Sequence, residues 1–278
     1  MTVYPLVFQI GRLEITGFGL LMAAAFVVGG WLVSLELRRR GWHPDYTADL
    51  VAAAVVGGLL GAKLWYVALT GDLSALLSRS GMVWYGGFIG ATIAVLLNGV
   101  RLDVPTRATM QLVAPALAAA YAVGRVGCFL VGDDYGRPTD LPWGIKFPQG
   151  IPPSTAANLA SQFGVPIDPD LAPTAVLAVH PTQLYEVVAM LAVFMLLWRW
   201  RLGGRPLGWL FGAYLALAGA ERFLVEILRA KDDRLLGPFT LAQLVSVAIA
   251  GIGIGVMRRL ARAPDPAPGA YLVPDAEA

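Results

Sequence analysis

The 278-residue chain is 57% hydrophobic and 14% charged, with a formal net charge of +2 and a mean hydropathy of +0.64. Soluble domains carry about 25% charged residues, so this composition excludes an ordinary soluble domain and points to a polytopic membrane protein. One cysteine, Cys128, excludes an internal disulfide and a cysteine metal cluster, and two histidines, His43 and His180, argue against a histidine-rich metal site.

The opening residues, MTVYPLVFQIGRLEITGFG, have no basic region before an apolar core and no A-x-A site, so no signal peptide is predicted. Seven stretches then approach the roughly 20 apolar residues that cross a bilayer. They run over about 17–37, 47–69, 82–100, 108–130, 181–200, 206–228 and 237–257. Lipid offers an open backbone no partner, so all seven are expected to be helices. The fold class is therefore all-α, a helical membrane bundle of about seven spans. The connection over 131–180 is the one long loop; rich in Gly, Pro and Asp, it is expected to form a small extramembrane head. From residue 263 the chain is rich in Pro, Ala and Asp, which predicts a disordered tail over 263–278 behind a single membrane domain over 1–262.

Lys and Arg set the orientation. Four clusters, at 38–40, 101–107, 199–205 and 258–262, put eleven on one side. Seven lie on the other: Arg12, Arg79, Arg137, Lys146, Arg229, Lys231 and Arg234. The richer side is expected to be cytoplasmic, with the N-terminus and the 131–180 loop outside and the C-terminus inside.

Three cations remain within spans: Lys63, Arg125 and Arg222. An arginine at mid-bilayer costs at least about 2.5 kcal/mol, so it faces a cavity or a partner. Arg125 lies in GRVGCFLVGDDYGRP, over 124–138, with Asp133, Asp134 and Arg137 behind it. Arg222 lies in ERFLVEILR, where Arg222, Glu226 and Arg229 at i, i+4 and i+7 share one helical face. Glu226 can thus hold one or both arginines. Two buried guanidinium groups call for an anion, and phosphate matches their bidentate geometry. In a membrane this means a phospholipid headgroup at the outer leaflet. Glycines flank the charges, at 124, 127, 132 and 136 and again in WYGGFIG at 86, 87 and 90. They suit close approach of a ligand, but on spacing alone tight helix packing is the better reading. Lys63 either lines the same cavity or pairs with a carboxylate such as Glu186. HPTQLYE, over 180–186, opens the fifth span with Pro181 in the first turn and brings His180, Gln183 and Glu186 to the same depth. Arg137 belongs to the site's rim with the aspartates or closes the loop through one of them.

These motifs resemble those of the bacterial prolipoprotein diacylglyceryl transferases. GRVGCFLVGDDYGRP is similar to that family's G-R-x-G-N-F-x-N-G-E-x-x-G-R, WYGGFIG to H-G-G-L-I-G, HPTQLYE to H-P-[ST]-Q-L-Y-E and RFLVEILR to R-F-x-V-E-F-x-R. The resemblance covers about residues 10–260 in the same order. It implies an enzyme of the bacterial inner membrane that moves the diacylglyceryl group of phosphatidylglycerol onto the thiol of a lipobox cysteine in a prolipoprotein signal peptide. Glycerol phosphate is released, and no cofactor, metal or nucleic acid is involved. It further implies that Arg125 and Arg222 clamp the phosphate with support from Arg229, that Glu226 orients them, and that His180, Gln183, Tyr185, Gly86, Gly87 and Gly136 shape the site. Four positions depart from the family's residues: Cys128 and Val131 stand for Asn, Asp133 for Glu and Tyr85 for His. A fifth, Phe18, stands for a tyrosine common in the first span. The proton acceptor is thereby left open among Tyr85, Asp133, Asp134 and His180, with Tyr85 and Asp133 leading. A tyrosine with a pKa near 10 is a weak base unless a nearby arginine lowers it. A covalent intermediate on Cys128 is disfavoured, because a buried cysteine is ordinarily a small apolar filler. Two further readings stay open: a relative that serves a different acceptor, and a lipid or anion transporter, the latter without the internal repeat such folds carry.

Overall fold

The computed structural model describes residues 1–5, 7–10, 13–76, 82–230 and 234–273. The chain is mostly helical. Among the described residues, seven helices of at least 18 residues coincide with the seven apolar stretches. They are α1 (Gly17–Arg39), α2 (Tyr46–Thr70), α3 (Trp84–Arg101), α4 (Thr106–Val131), α6 (Thr182–Trp200), α7 (Trp209–Glu226) and α8 (Leu241–Leu260). A six-residue helix, α5 (Ala156–Ser161), lies in the long connection, capped by Thr155, whose side chain accepts from Asn158 N at 3.3 Å. Five helices, α1, α2, α4, α6 and α8, are long and apolar enough to cross a membrane. Helices α3 and α7 are not among them; the 18 residues of α7 include Glu221, Arg222 and Glu226. Each basic cluster begins in the last turn of α1, α3, α6 or α8, with Arg38 and Arg39, Arg101, Arg199, and Arg258 and Arg259, where cations also complement the helix dipole.

Two short ribbons qualify the all-α expectation. β1 (Val7–Ile10) pairs antiparallel with β2 (Leu13–Thr16), Val7 opposite Thr16. β3 (Arg234–Leu236) pairs with β4 (Phe239–Thr240). Val7, Ile10, Ile15 and Thr16 are β-branched, and such residues fit a pleated surface better than a helix.

Contacts divide the chain into two compact units. The first comprises Met1–Gly29, Ala114–Arg205 and Trp209–Arg262. One core joins Ala114, Ala118 and Ala122 of α4 to Met190, Val193 and Leu197 of α6 and Trp209, Leu210 and Ala213 of α7. On each helix the spacing repeats with the helical period, so a single stripe turns inward. A separate small core forms in the 131–180 connection and its surroundings, from Tyr135, Ile145, Phe147, Leu159, Val165, Val179 and Ala230. Tyr135 and Phe147 stack there with centroids 5.5 Å apart.

The second unit comprises Gly30–Val113, Pro206–Gly208 and Ala263–Ala278. Helices α2 and α3 run backbone to backbone in it. A Cβ on Gly86 would stand 2.4 Å from Gly61 O and 2.3 Å from Trp65 Cβ, so no larger residue fits. Lys63 Nζ donates to Ala75 O at 2.8 Å. Residues 263–273, in the stretch expected to be a disordered tail, make several contacts. Arg107 Nη1 donates to Pro264 O at 2.7 Å and Nη2 to Asp265 Oδ1 at 3.1 Å. Tyr271 bonds the Asp49 carboxylate, and Leu272 is fully buried. The rest of that stretch, 274–278, and Arg12, Arg79 and Lys231 of the charge count lie outside the described residues.

A candidate active site built on three arginines

The site belongs to the first unit and begins where α4 ends. Just past Val131, Gly132 (φ 74°) and Asp134 (φ 55°) adopt left-handed backbone and turn the chain sharply. Aspartate enters this region more readily than most residues. The turn swings Asp134 back over α4, where its Oδ2 accepts from Arg125 Nη1 at 3.0 Å. Beyond it, three segments lock together. Gly136 N donates to His180 O at 2.8 Å, His180 N to Arg137 O at 3.0 Å, and Arg137 N to Leu228 O at 2.8 Å. Gly136 sits at the crossing, where a Cβ would meet Leu228 O at 2.6 Å and His180 Cβ at 2.7 Å.

This crossing gathers the charges. Arg125, 7% exposed, pairs through Nε with Oε2 of the fully buried Glu186 on α6. Tyr121, one turn earlier on α4, donates to Glu186 Oε1 at 3.4 Å. Glu186 is therefore a partner of Arg125; Lys63, considered for it from sequence, belongs to the second unit and donates to Ala75 O there. On α7, Arg222 Nη1 lies 2.5 Å from Glu226 Oε2; three residues past the helix end, Arg229 Nε lies 3.9 Å from the same oxygen. Only the i, i+4 part of the face read from ERFLVEILR is helical: α7 ends at Glu226, and Arg229 reaches the cluster from the turn beyond it, where it bridges to Gly136. Arg229 Nη2 pairs with Asp134 Oδ1, so Asp134 joins Arg125 to Arg229. Glu226 is held from behind. Thr240, the N-cap of α8, donates from Oγ1 to Glu226 Oε1 at 3.1 Å while accepting from Gln243 N. Arg125 Nη2 is buried and has no hydrogen-bond partner among the described residues. A buried guanidinium with an unused donor is suited to an oxyanion.

The rest of HPTQLYE supports the turn. Gln183 Nε2 donates to Asp133 O and Thr182 Oγ1 to Asp134 O, at 2.5 and 2.7 Å. Burial and the neighbouring Asp134 push the Asp133 carboxyl up to about 6, against the pull of Arg125 and the Cys128 thiol. Burial also works to raise Asp134, but Arg229 and Arg125 outweigh it and hold that carboxyl below the usual range. Donor atoms of Cys128, Asp133 and Asp134 lie within 4.8 Å of one another. Both oxygens of Asp134 are engaged by arginines, whose charge repels a cation, so this set is poorly suited to a metal. Burial lowers His180, whose Nδ1 lies 3.2 Å from Tyr185 Oη.

The first unit thus gathers Arg125, Arg222, Arg229, Glu226, Asp133, Gly136, His180, Gln183 and Tyr185. Tyr85, Gly86 and Gly87 belong to the second unit, at the start of α3, where Tyr85 is exposed and Gly86 packs on α2. Sequence reading missed Tyr121 and Thr240. It also missed Glu221, an 8% exposed carboxylate in electrostatic reach of Glu186, Arg222 and Arg125. Tyr121 left a signal, since it stands four residues before Arg125 on the same face. Thr240 left none that pointed to Glu226, fourteen residues away.

A family model described as prolipoprotein diacylglyceryl transferase matches residues 5–259. The chain is similar to the phosphatidylglycerol–prolipoprotein diacylglyceryl transferase of Geobacter sulfurreducens, at 34% identity over 267 residues, 90% of this chain and 92% of that protein. The proteins of the same name from Trichormus variabilis and Clostridium tetani are 34% and 29% identical. These two alignments each cover 91% of this chain, and 87% and 96% of the respective relatives.

Proposed function

The chain belongs to the prolipoprotein diacylglyceryl transferase family, and from that premise we propose that it transfers the diacylglyceryl group of phosphatidylglycerol to the thiol of a lipobox cysteine. The acceptor is a prolipoprotein signal peptide. The sulfur attacks the glyceryl carbon, a C–S bond forms, the C–O bond to phosphate breaks, and glycerol phosphate departs with the electron pair.

Arg125 carries this reading. It is buried, fixed by Glu186 and Asp134, and keeps Nη2 unused. Arg222 and Arg229, ordered by Glu226, complete a phosphate clamp. Guanidinium groups fixed before the reaction stabilise the charge growing on the leaving phosphate without reorganisation. The same cations favour a thiolate over the thiol, whose ordinary pKa is about 8.5. Asp133, at about 6, is the proton acceptor of this reading, because a base near the working pH is the most effective. His180, Gln183, Tyr185 and Gly136 shape the rim.

All seven long helices span the bacterial inner membrane in this reading, with the N-terminus and the 131–180 head outside and the C-terminus cytoplasmic. The basic last turns of α1, α3, α6 and α8 support that orientation.

The test uses purified protein in detergent with phosphatidylglycerol and a synthetic lipobox peptide, with and without its cysteine. Mass spectrometry is expected to find a diacylglyceryl adduct on the cysteine peptide alone, together with free glycerol phosphate. Glycerol phosphate without an adduct would mean another acceptor, and neither product would overturn the reading.

A further inference from the structure

A turn over 139–144 brings an indole to the edge of the site. Leu141 N donates to Thr139 Oγ1 at 3.2 Å and Gly144 N to Leu141 O at 2.9 Å. Ile145 and Val179 then exchange backbone bonds at 3.0 and 2.9 Å, which anchors the turn one residue before His180. Trp143 rides on this turn. Its Nε1 donates to Tyr185 Oη at 2.8 Å, and Tyr185 Oη lies 3.2 Å from His180 Nδ1.

An indole nitrogen only donates, whereas a phenol does both. The Tyr185 oxygen therefore accepts from Trp143, and its own proton is free to go to His180 Nδ1. A proton on Nδ1 would instead make the Tyr185 oxygen accept twice and leave the Tyr185 proton without a partner among the described residues. The chain is complete only with Nδ1 bare and the imidazole proton on Nε2. Burial disfavours imidazolium at His180 and so keeps the ring neutral; the hydrogen bonds choose the tautomer. His180 is bonded through its backbone to Gly136 and Arg137, in the segment that carries Asp134, so the residue is anchored at the edge of the site.

We infer that Trp143 is a positioning residue that acts through Tyr185. It holds His180 as the Nε2-protonated imidazole, and this presents a fixed neutral donor to the phosphate-bearing headgroup of the lipid. The inference rests on the phospholipid site proposed above. A neutral donor binds a headgroup oxygen without adding to the charge that three arginines already bring.

Nitrogen-15 NMR of histidine-labelled protein in detergent tests it, with the two signals assigned by His43→Gln. In the wild type, His180 is expected to carry its proton on Nε2 and none on Nδ1. Trp143→Phe keeps an aromatic ring and removes the donor; it is expected to give a mixture of tautomers. Tyr185→Phe should do the same, and the double variant should be no worse than either single one. Both single variants should raise KM for phosphatidylglycerol about three- to tenfold with kcat little changed. Thermal unfolding establishes that each is folded, and either variant alone suffices for the test. An Nδ1-protonated His180 in the wild type, or an unaltered tautomer in the folded variants, overturns the inference. An altered tautomer with unchanged KM overturns its headgroup part. The NMR readout needs no lipid, so it fails independently of the phospholipid reading, which falls instead if Arg125→Ala keeps full transfer.

Discussion

Asp134 stands between Arg125 and Arg229. One carboxylate oxygen accepts from Arg125 Nη1 at 3.0 Å and the other pairs with Arg229 Nη2. A carboxylate is thus held bidentately between the guanidinium groups assigned to a phosphate. Asp134→Asn keeps a residue that tolerates left-handed backbone while removing the charge. It is expected to lower the melting temperature at neutral pH. The sign follows from the depressed carboxyl: its stabilisation is present above the unfolded value of about 3.9 and is lost as pH falls through the lower folded value. The deficit of the variant should therefore persist down to about pH 4. A deficit that closes between pH 7 and 5 would contradict the pairing.

Glu186 is fully buried and pairs with Arg125. Removing one member of a buried pair leaves an uncompensated charge, which costs about 3–5 kcal/mol. Glu186→Gln is expected to unfold well below the wild type in a thermal melt, and Arg125→Lys, which cannot make the bidentate fork, to lose transfer at least about 100-fold. An active Arg125→Lys would remove the clamp from the mechanism.

Asp133 has the opposite linkage to Asp134. Its folded value near 6 lies above the unfolded one, so the folded state binds the extra proton between about pH 4 and 6 and stability falls as pH rises through that window. Asp133→Asn should be the more stable protein at pH 7, with the gap shrinking toward pH 4. The rising limb of kcat/KM near pH 6 should vanish with the same substitution. A limb that survives would assign the proton to another group.

Thr240 caps α8 and bonds Glu226 with the same hydroxyl. Thr240→Val should cost about 1–2 kcal/mol of stability and lower kcat/KM, whereas Thr240→Ser, which keeps the hydroxyl, should restore both. Equal activity in the two variants would show that Glu226 needs no support from α8.

Two glycines of one motif should behave differently. A Cβ on Gly136 would meet Leu228 O at 2.6 Å, while one on Gly124 meets nothing within 4 Å. Gly136→Ala is expected to abolish transfer and Gly124→Ala to retain it, read in the adduct assay. Loss in both would mean that Gly124 faces substrate.

What the sequence determined by itself was whatever chain-local physics controls. The apolar runs marked the long helices, because a helix satisfies its own backbone. The 3.6-residue period put Arg222 and Glu226 on one face of α7, and the structure pairs them; Arg229, expected on the same face, lies past the helix end and meets Glu226 from a turn. Arg125 announced itself as a charge inside an apolar run. The partners that fix Arg125 and Arg229 were decided only in three dimensions. Glu186 reaches Arg125 from 61 positions away, and Asp134 reaches Arg229 across 95. HPTQLYE marked Glu186 as polar without saying which cation it served. Helical periodicity carries information over a turn or two; which distant groups meet depends on how the helices pack and on the left-handed turn at Asp134, and neither leaves a local pattern.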